Sequence, residues 1–338
     1  MDIKNLVKPN IRSLRAYQAE EIPCRVKLVA NESPYGVKAL KTVKTNRYPD
    51  PEAKALRNLL ARQFKVKPEN ILHGNGSDEL IQCLITTFGG PVLFPTPTFS
   101  MYRIISQVQG EESAGIPLDE KFDLDTDAFL KAIKSRNPKL IFLSSPNNPT
   151  GNSFSAEKML KILRRSKGIV IVDEAYQAFS DRKSFLPLLK KYQNLIILKT
   201  LSKIGLAGLR VGFMIARKDV IDEVNKVRLP FNLNSLSQKL AVETLKKNAL
   251  MRSEIKTIVS ERKKLFNEMK KIDGIEPYPS DANFILFRTD KSDRIYKELL
   301  KMGILIRNMK GIINGCLRVT VGTPNENMAF LKAIKSAV

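Results

Sequence analysis

Apolar runs of strand length recur along this chain, and most end in a short polar or glycine-containing stretch that leads into a helical pattern. The clearest is Leu195 to Leu198 in "NLIILKTLSKIGLAGLRVGFMIA". Polar "KTLSK" puts Lys203 just past the strand end, and a Gly-rich stretch precedes a second apolar run. The same reading predicts strands in "KLVANESPYG", "NILHGNG", "PVLFPTP", "KLIFLSS" and "GIVIVD". Helices are expected from Pro51 and Glu52, from "GNGSDEL" and from near Ser155. Strands alternating with helices make an open α/β sheet, which binds ligands at the carboxyl ends of its strands. After Arg228 the pattern changes: "LPFNLNSLSQ" is a connection, and a long basic amphipathic helix follows. "ANFILFRT", "GILIRNM" and "CLRVTVGT" then read as three short strands among helices, a smaller α+β unit.

The 338 residues suffice for about two domains, and a hydrophobic fraction of 43% is ordinary for a globular chain. No stretch has the apolar length of a membrane span, and "MDIKNLVKPNIRSLR" lacks an apolar signal core, so a cytoplasmic protein without membrane partners is expected. Cys24, Cys83 and Cys316 are odd in number and widely spaced, which fits reduced thiols. His73 is the sole histidine, which argues against a histidine metal site or a histidine-dependent triad, and no metal is expected. The net charge of +23 raises the question of nucleic acid. Yet the charge is spread along the chain and mixed with acids at helical spacing in "LKKNALMRSEIKTIVSERKKLFNEMKKI", the mark of solvated helix faces. Nucleic acid is therefore not an expected partner; attraction of anionic substrates is a secondary gain.

Several polar positions can carry chemistry, and each has a plainer alternative. Lys203 sits where an amine nucleophile belongs, although among 57 Lys and Arg most are solvated charges. "GNGSDEL" offers flexible backbone at Gly74 and Gly76, and helix N–H groups to an anion; it is equally a common N-cap. It lacks the endings of a nucleotide P-loop and of a dinucleotide fingerprint. Asp173 ends a continuous apolar strand, where a shielded carboxylate needs a cationic partner unless it caps a helix. Asn148 lies in the turn "PNNPTG", and Phe99 reads either as core or as a stacking ring.

The order Asn148, Asp173, Tyr176, Lys203, Arg210 resembles the fold-type-I pyridoxal-phosphate (PLP) aminotransferases. "ANESPYG" with "RYPDPE" tilts the resemblance to the histidinol-phosphate aminotransferase branch, and it covers nearly the whole chain. It implies an arm over 1–25, a large PLP-binding domain over 26–230 with a mostly parallel central sheet flanked by helices, and a small α+β domain over 231–338. It also implies Lys203 as the Schiff-base lysine and proton carrier, Asp173 on the pyridine nitrogen, and Tyr176 with Asn148 on the phenolic oxygen. Phe99 would stack on the ring. Gly76, Ser77, Asp78, Thr200, Ser202 and Arg210 would hold the phosphate, joined by Tyr48 from the partner subunit of a homodimer. Tyr17, which is alternatively a packing aromatic, would contact substrate, as would Asn31, Arg307 and Arg318, with Asn31, Glu32, Pro34 and Gly36 forming a substrate-entrance motif. The implied reaction converts histidinol phosphate and 2-oxoglutarate to imidazole-acetol phosphate and glutamate. Rivals with the same constellation are aromatic amino-acid aminotransferases and threonine-phosphate decarboxylases; from another class, a basic nucleic-acid-binding protein on a degenerate PLP fold would explain the charge. One departure stands out. Many relatives read "SKAFGLAGLR" where this chain has "SKIGLAGLR", one residue fewer before Arg210.

Overall fold

The computed structural model describes residues 24–29, 31, 34 and 48–338. After β1 (Val26–Lys27) and α1 (Lys54–Phe64), strands and helices alternate: β2 (Ile71–Asn75), α2 (Gly76–Phe88), β3 (Val92–Thr96), α3 (Met101–Val108), β4 (Ser113–Pro117), α4 (Thr126–Arg136), β5 (Leu140–Ser144), α5 (Ala156–Arg165) and β6 (Ile169–Asp173). Then come β7 (Leu195–Thr200), β8 (Val211–Ile215), α6 (Lys218–Asn225), α7 (Ser235–Lys246) and α8 (Ala249–Met269). The chain closes with β9 (Glu276–Pro277), β10 (Phe284–Arg288), α9 (Ser292–Lys301), β11 (Ile304–Leu305), β12 (Arg307–Asn308), β13 (Cys316–Thr320) and α10 (Pro324–Ala337).

β2 to β8 form a seven-stranded sheet in the order β2-β8-β7-β6-β5-β3-β4. Only β8 runs against the rest, pairing antiparallel with β2 and β7. Strands β3 and β5 to β8 read as largely apolar runs because both faces are covered. Along β5 and β6 the side chains alternate between two cores. Ile141, Leu143, Val170 and Val172 meet Leu56 and Leu60 of α1, Phe129 of α4 and Ile162 of α5. Phe142 and Ile171 meet Leu80 and Leu84 of α2, Ile105 of α3 and Val224 of α6. The register then sets a row of strand ends side by side: Ser144 pairs with Asp173, Asp173 with Leu198, Thr200 with Gly212 and Asn75 with Val211. That row is the floor of the site.

A second layer is the antiparallel sheet β12-β13-β10-β9, packed on α8 and α10 through Phe284, Phe287, Leu265 and Phe330. Tyr176 and Phe179, just beyond β6, belong to this core and join the two layers. Two packing relations cross residue 230 and residue 26. Leu233, Ala241 and Leu245, in and before α7, are buried in the large-sheet core, and β1 pairs in parallel with β11.

Three local expectations need correction. The helix expected from Pro51 begins at Lys54, because the Asp50 carboxylate accepts the N–H groups of Glu52 (3.0 Å) and Lys54 (2.8 Å) and holds a turn ahead of it. "GILIRNM" is two short strands, since β11 pairs with β1 and β12 with β13. β4 was not expected; it is an edge strand with Ile116 its one buried residue, so no apolar run marks it. The thiols are free, with Cys83 and Cys316 buried and Cys24 half-buried. Among the described residues no helix is long and apolar enough to cross a membrane, and no cluster of metal-ligating side chains occurs.

Candidate active site

Above the row of strand ends lies a cavity of about 250 Å³, walled by both layers. Lys203, Asp173, Tyr176, Asn148, Phe99, Ser77, Asp78, Thr200, Ser202, Arg210, Asn31, Arg307 and Arg318 all line it. Gly76 lies immediately behind, where an added Cβ would stand 2.5 Å from the Arg210 guanidinium. Tyr48 is 81% exposed and stacks on Phe231 (ring centroids 4.7 Å apart), outside this cavity. Tyr17, Glu32 and Gly36 lie outside the described residues, and Pro34 is half-buried.

One end of the cavity is built for an anion. α2 starts without a side-chain cap on its first N–H groups, and Ser77 and Asp78 at that start face the cavity. Uncapped helix N–H groups are donors with a favourable dipole behind them. The close fit depends on Gly212, where a Cβ would lie 2.4 Å from backbone atoms of Gly76 and Ser77. On the other side, the Thr200 hydroxyl donates to the Ser202 hydroxyl (2.9 Å). Arg210 reaches across to Asp78 (3.3 Å), and its carbonyl accepts the Gly76 N–H (2.7 Å). The shortened loop before Arg210 is closed by two single 3₁₀ turns, Ser202–Ile204 and Ala207–Leu209, hinged at Gly205 with φ +96°. Arg210 itself takes φ +54°, and the loop still delivers it to the cavity.

At the other end the hydrogen bonds fix which atoms can donate. Arg318 is a donor only, and its Nη1 donates to Asn148 Oδ1, so the Asn148 amide N–H₂ remains a donor elsewhere. Asn31 Oδ1 accepts the Thr320 hydroxyl (3.0 Å), which leaves Asn31 Nδ2 to donate to the Tyr176 oxygen (3.3 Å). The Tyr176 proton is then available to a third group. Arg318 also donates to the Val29 carbonyl (3.2 Å) and lies over the Phe284 ring, 4.9 Å from its centroid. Lys203 Nζ sits 5.8 Å from the centroid of the Tyr176 ring.

Asp173 is buried, and its two oxygens accept the Tyr102 hydroxyl (2.7 Å) and the Ala175 N–H (3.0 Å). Among the described residues no Lys or Arg forms an ion pair with it. Burial pushes its carboxyl up to about 6, against the pull of the two hydrogen bonds. The cavity also takes in Thr98, Ser144, Met309 and Ile312, none of them expected from sequence. The Tyr102 contact was equally invisible there, because Asp173 and Tyr102 lie 71 positions apart.

His73, on β2 beneath this end of the sheet, is buried beside Arg228, whose guanidinium lies 3.3 Å from its Nε2. Arg228 also donates to Asn232 (2.7 Å) and to the Pro51 carbonyl (3.1 Å), and Asn232 donates to Glu79 of α2 (2.6 Å). This network braces the start of α2. Burial and then the Arg228 charge lower the His73 pKa from 6.5 to about 3. Between those values the unfolded chain binds a proton that the folded chain refuses, so stability falls as pH falls, by roughly 1.4 kcal/mol per unit. Asp173 acts oppositely: its raised pKa lets the folded state bind a proton first and adds stability as pH falls from about 6 toward 3.8. Urea unfolding of wild type and His73→Gln separates the two. Wild type should lose roughly 2 kcal/mol more than the variant between pH 7 and pH 5. Equal losses would rule out a buried neutral imidazole.

The sequence profile of aminotransferase class I and II matches residues 16–334. Histidinol-phosphate aminotransferase 2 of Nitrosococcus oceani is 43% identical over 98% of this chain and 96% of its own length. Histidinol-phosphate aminotransferase of Aquifex aeolicus is 43% identical over 98% of both chains. Among solved structures, the histidinol-phosphate aminotransferase of Clostridium acetobutylicum superposes with a TM-score of 0.84 at 26% identity, covering 92% of this chain and 98% of its own. That of Sinorhizobium meliloti, in complex with pyridoxal-5'-phosphate, gives 0.88 at 23% identity over 98% of each chain. The fold is therefore that of the fold-type-I aminotransferases, and the chain belongs to the class I and II aminotransferase family, alongside the histidinol-phosphate aminotransferases.

Proposed function

We propose that this enzyme transfers the amino group of L-histidinol phosphate to 2-oxoglutarate, giving imidazole-acetol phosphate and L-glutamate in histidine biosynthesis, as a cytoplasmic homodimer using PLP. The relatives' names support the substrate assignment. The observation that carries the chemistry is Asp173, a buried carboxylate with no ion-pair partner among the described residues, lining the same cavity as Lys203 and an uncapped helix start.

The donor set fits the cofactor. The start of α2 with Ser77, Thr200, Ser202 and Arg210 would hold the phosphate, Asn148 and Tyr176 would donate to the phenolic oxygen, and Phe99 would cover the ring. Asp173 would face the ring nitrogen, whose positive charge satisfies the buried carboxylate. When bound, PLP supplies a carbonyl that captures amino groups and a ring that accepts electrons. Lys203, the amine on the cavity wall, would hold that carbonyl in the resting enzyme and would move the proton of the substrate's α-carbon. Arg318, held by Asn148 and Val29, and Arg307 would pair with the phosphate of one substrate and the carboxylate of the other, a task suited to guanidinium forks. Tyr17 would contact substrate, and Tyr48 would reach the partner subunit's phosphate cup, which agrees with its exposure. We place the unit boundaries by packing: the large domain includes α7, and β1 goes with the small domain.

Absorbance spectra with added histidinol phosphate, phenylalanine and threonine phosphate, with borohydride trapping and peptide mapping, test the reading. A yellow protein trapped on Lys203 that histidinol phosphate converts to the amino form is the expected result. Comparable turnover of phenylalanine would make it an aromatic aminotransferase, and carbon dioxide release from threonine phosphate a decarboxylase. A colourless protein that takes up no PLP would remove the enzyme reading.

A further inference from the structure

Beneath Phe99, the candidate stacking ring, a second aromatic side chain has no part in the function described so far. Tyr102 of α3 is fully buried, edge-on to Phe99 (ring centroids 5.6 Å apart, 87°) and stacked on Phe142 of β5 (4.7 Å, 14°). Its hydroxyl has a direction that packing alone does not require: it donates to Asp173 at 2.7 Å. An ionised carboxylate only accepts, so the phenol is the donor of this bond.

Resting on the PLP reading above, we propose that Tyr102 is a positioning residue of the cofactor site, which holds Asp173 ionised and oriented so that it can pair with a cationic ring nitrogen. Asp173 faces a conflict. It is needed as an anion, yet burial favours its neutral form, and Asp78 and Glu174 add like charge. The Lys199 cation is engaged by Glu174 at 2.6 Å and so offers no relief. The cations in the cavity, Lys203, Arg210, Arg307 and Arg318, form no ion pair with Asp173 among the described residues. Among the described residues two hydrogen bonds favour the carboxylate, from Ala175 N–H and from Tyr102. The first comes from backbone and is fixed by the turn. The second is the one that a side chain provides, and its ring is clamped on two sides, so the hydroxyl cannot swing away. A carboxylate has about four acceptor positions, so both bonds leave room for a third donor from the cavity.

Tyr102→Phe keeps the ring and removes only the donor. Expected is a native fold by near-ultraviolet circular dichroism with PLP bound about tenfold or more weakly, the scale of a hydrogen bond to a charged group. The loss should vanish for 1-deazapyridoxal phosphate, which has no ring nitrogen to charge, so both proteins should bind that analogue equally. A merely structural tyrosine would weaken both ligands alike, and that result would overturn the proposal, as would unchanged PLP affinity. Should the phenylalanine variant fail to fold, fluorotyrosine at position 102 gives the opposite arm. A stronger donor of the same shape should tighten PLP and leave the deaza analogue unaffected; no change in PLP affinity would overturn the proposal. If wild type binds no PLP, both readings fall; if wild type binds it on Lys203 and Tyr102→Phe matches it, this inference alone falls.

Discussion

Lys203→Ala should lower transamination by about 10³-fold or more, since in the proposed function one amine serves as both nucleophile and proton carrier and general acid–base catalysis alone contributes about 10²- to 10⁴-fold. The fold should survive the change. Lys203 is half-buried in a single 3₁₀ turn at the cavity wall, and its backbone path is set by Leu201, Gly205 and the Val211 carbonyl that accepts the Leu201 N–H (2.9 Å). The proposed phosphate contacts do not include its side chain, so the variant should still take up PLP, now released by dialysis and not fixed by borohydride. Single-turnover absorbance with histidinol phosphate measures both aspects. Turnover within tenfold of wild type would remove Lys203 from the mechanism.

The sequence displayed the sheet because its strands are covered on both faces, which forces unbroken apolar runs at Leu140, Ile169 and Leu195. The same geometry made the site legible, since polar residues that follow such runs must lie along one edge of the sheet. Asp173 and Lys203 were read in that way. What escaped was whatever depends on distant pairing. Tyr102 sits on an ordinary amphipathic helix, and nothing local says that its hydroxyl meets a strand end. Arg318 and Asn148 are 170 positions apart, yet their hydrogen bond fixes which Asn148 atom can serve a ligand. β4 escaped for the opposite reason, because an edge strand with one buried residue leaves no apolar run. Gly212 reads as one more small residue until β8 is seen passing under the start of α2. Tyr48, exposed and stacked on Phe231, is not explained by one chain alone.

Asp173→Asn should lower kcat by about 10²- to 10⁴-fold, the range expected when one member of a buried ion pair is neutralised at a cost of about 3–5 kcal/mol. The amide has nearly the shape of the carboxylate, and the surrounding hydrogen bonds can adapt to it. Its oxygen can accept the Ala175 N–H, and its N–H₂ can donate to the Tyr102 oxygen, which is able to reverse its role. Packing is thus preserved and charge is what changes. With substrate held by Arg307 and Arg318 as proposed, KM should move far less than kcat, and PLP should bind more weakly than to wild type. Steady-state kinetics with a parallel PLP titration reads all three. The variant also ranks the two residues: Tyr102→Phe weakens the carboxylate's hold on its charge, whereas Asp173→Asn abolishes the charge. The asparagine variant must therefore show the larger loss, and combining the two changes should cost little more than Asp173→Asn alone, because Tyr102 acts only through Asp173. Full additivity in the double variant would mean that Tyr102 contributes by a separate route, and activity of Asp173→Asn within tenfold of wild type would exclude a charged ring nitrogen as its partner.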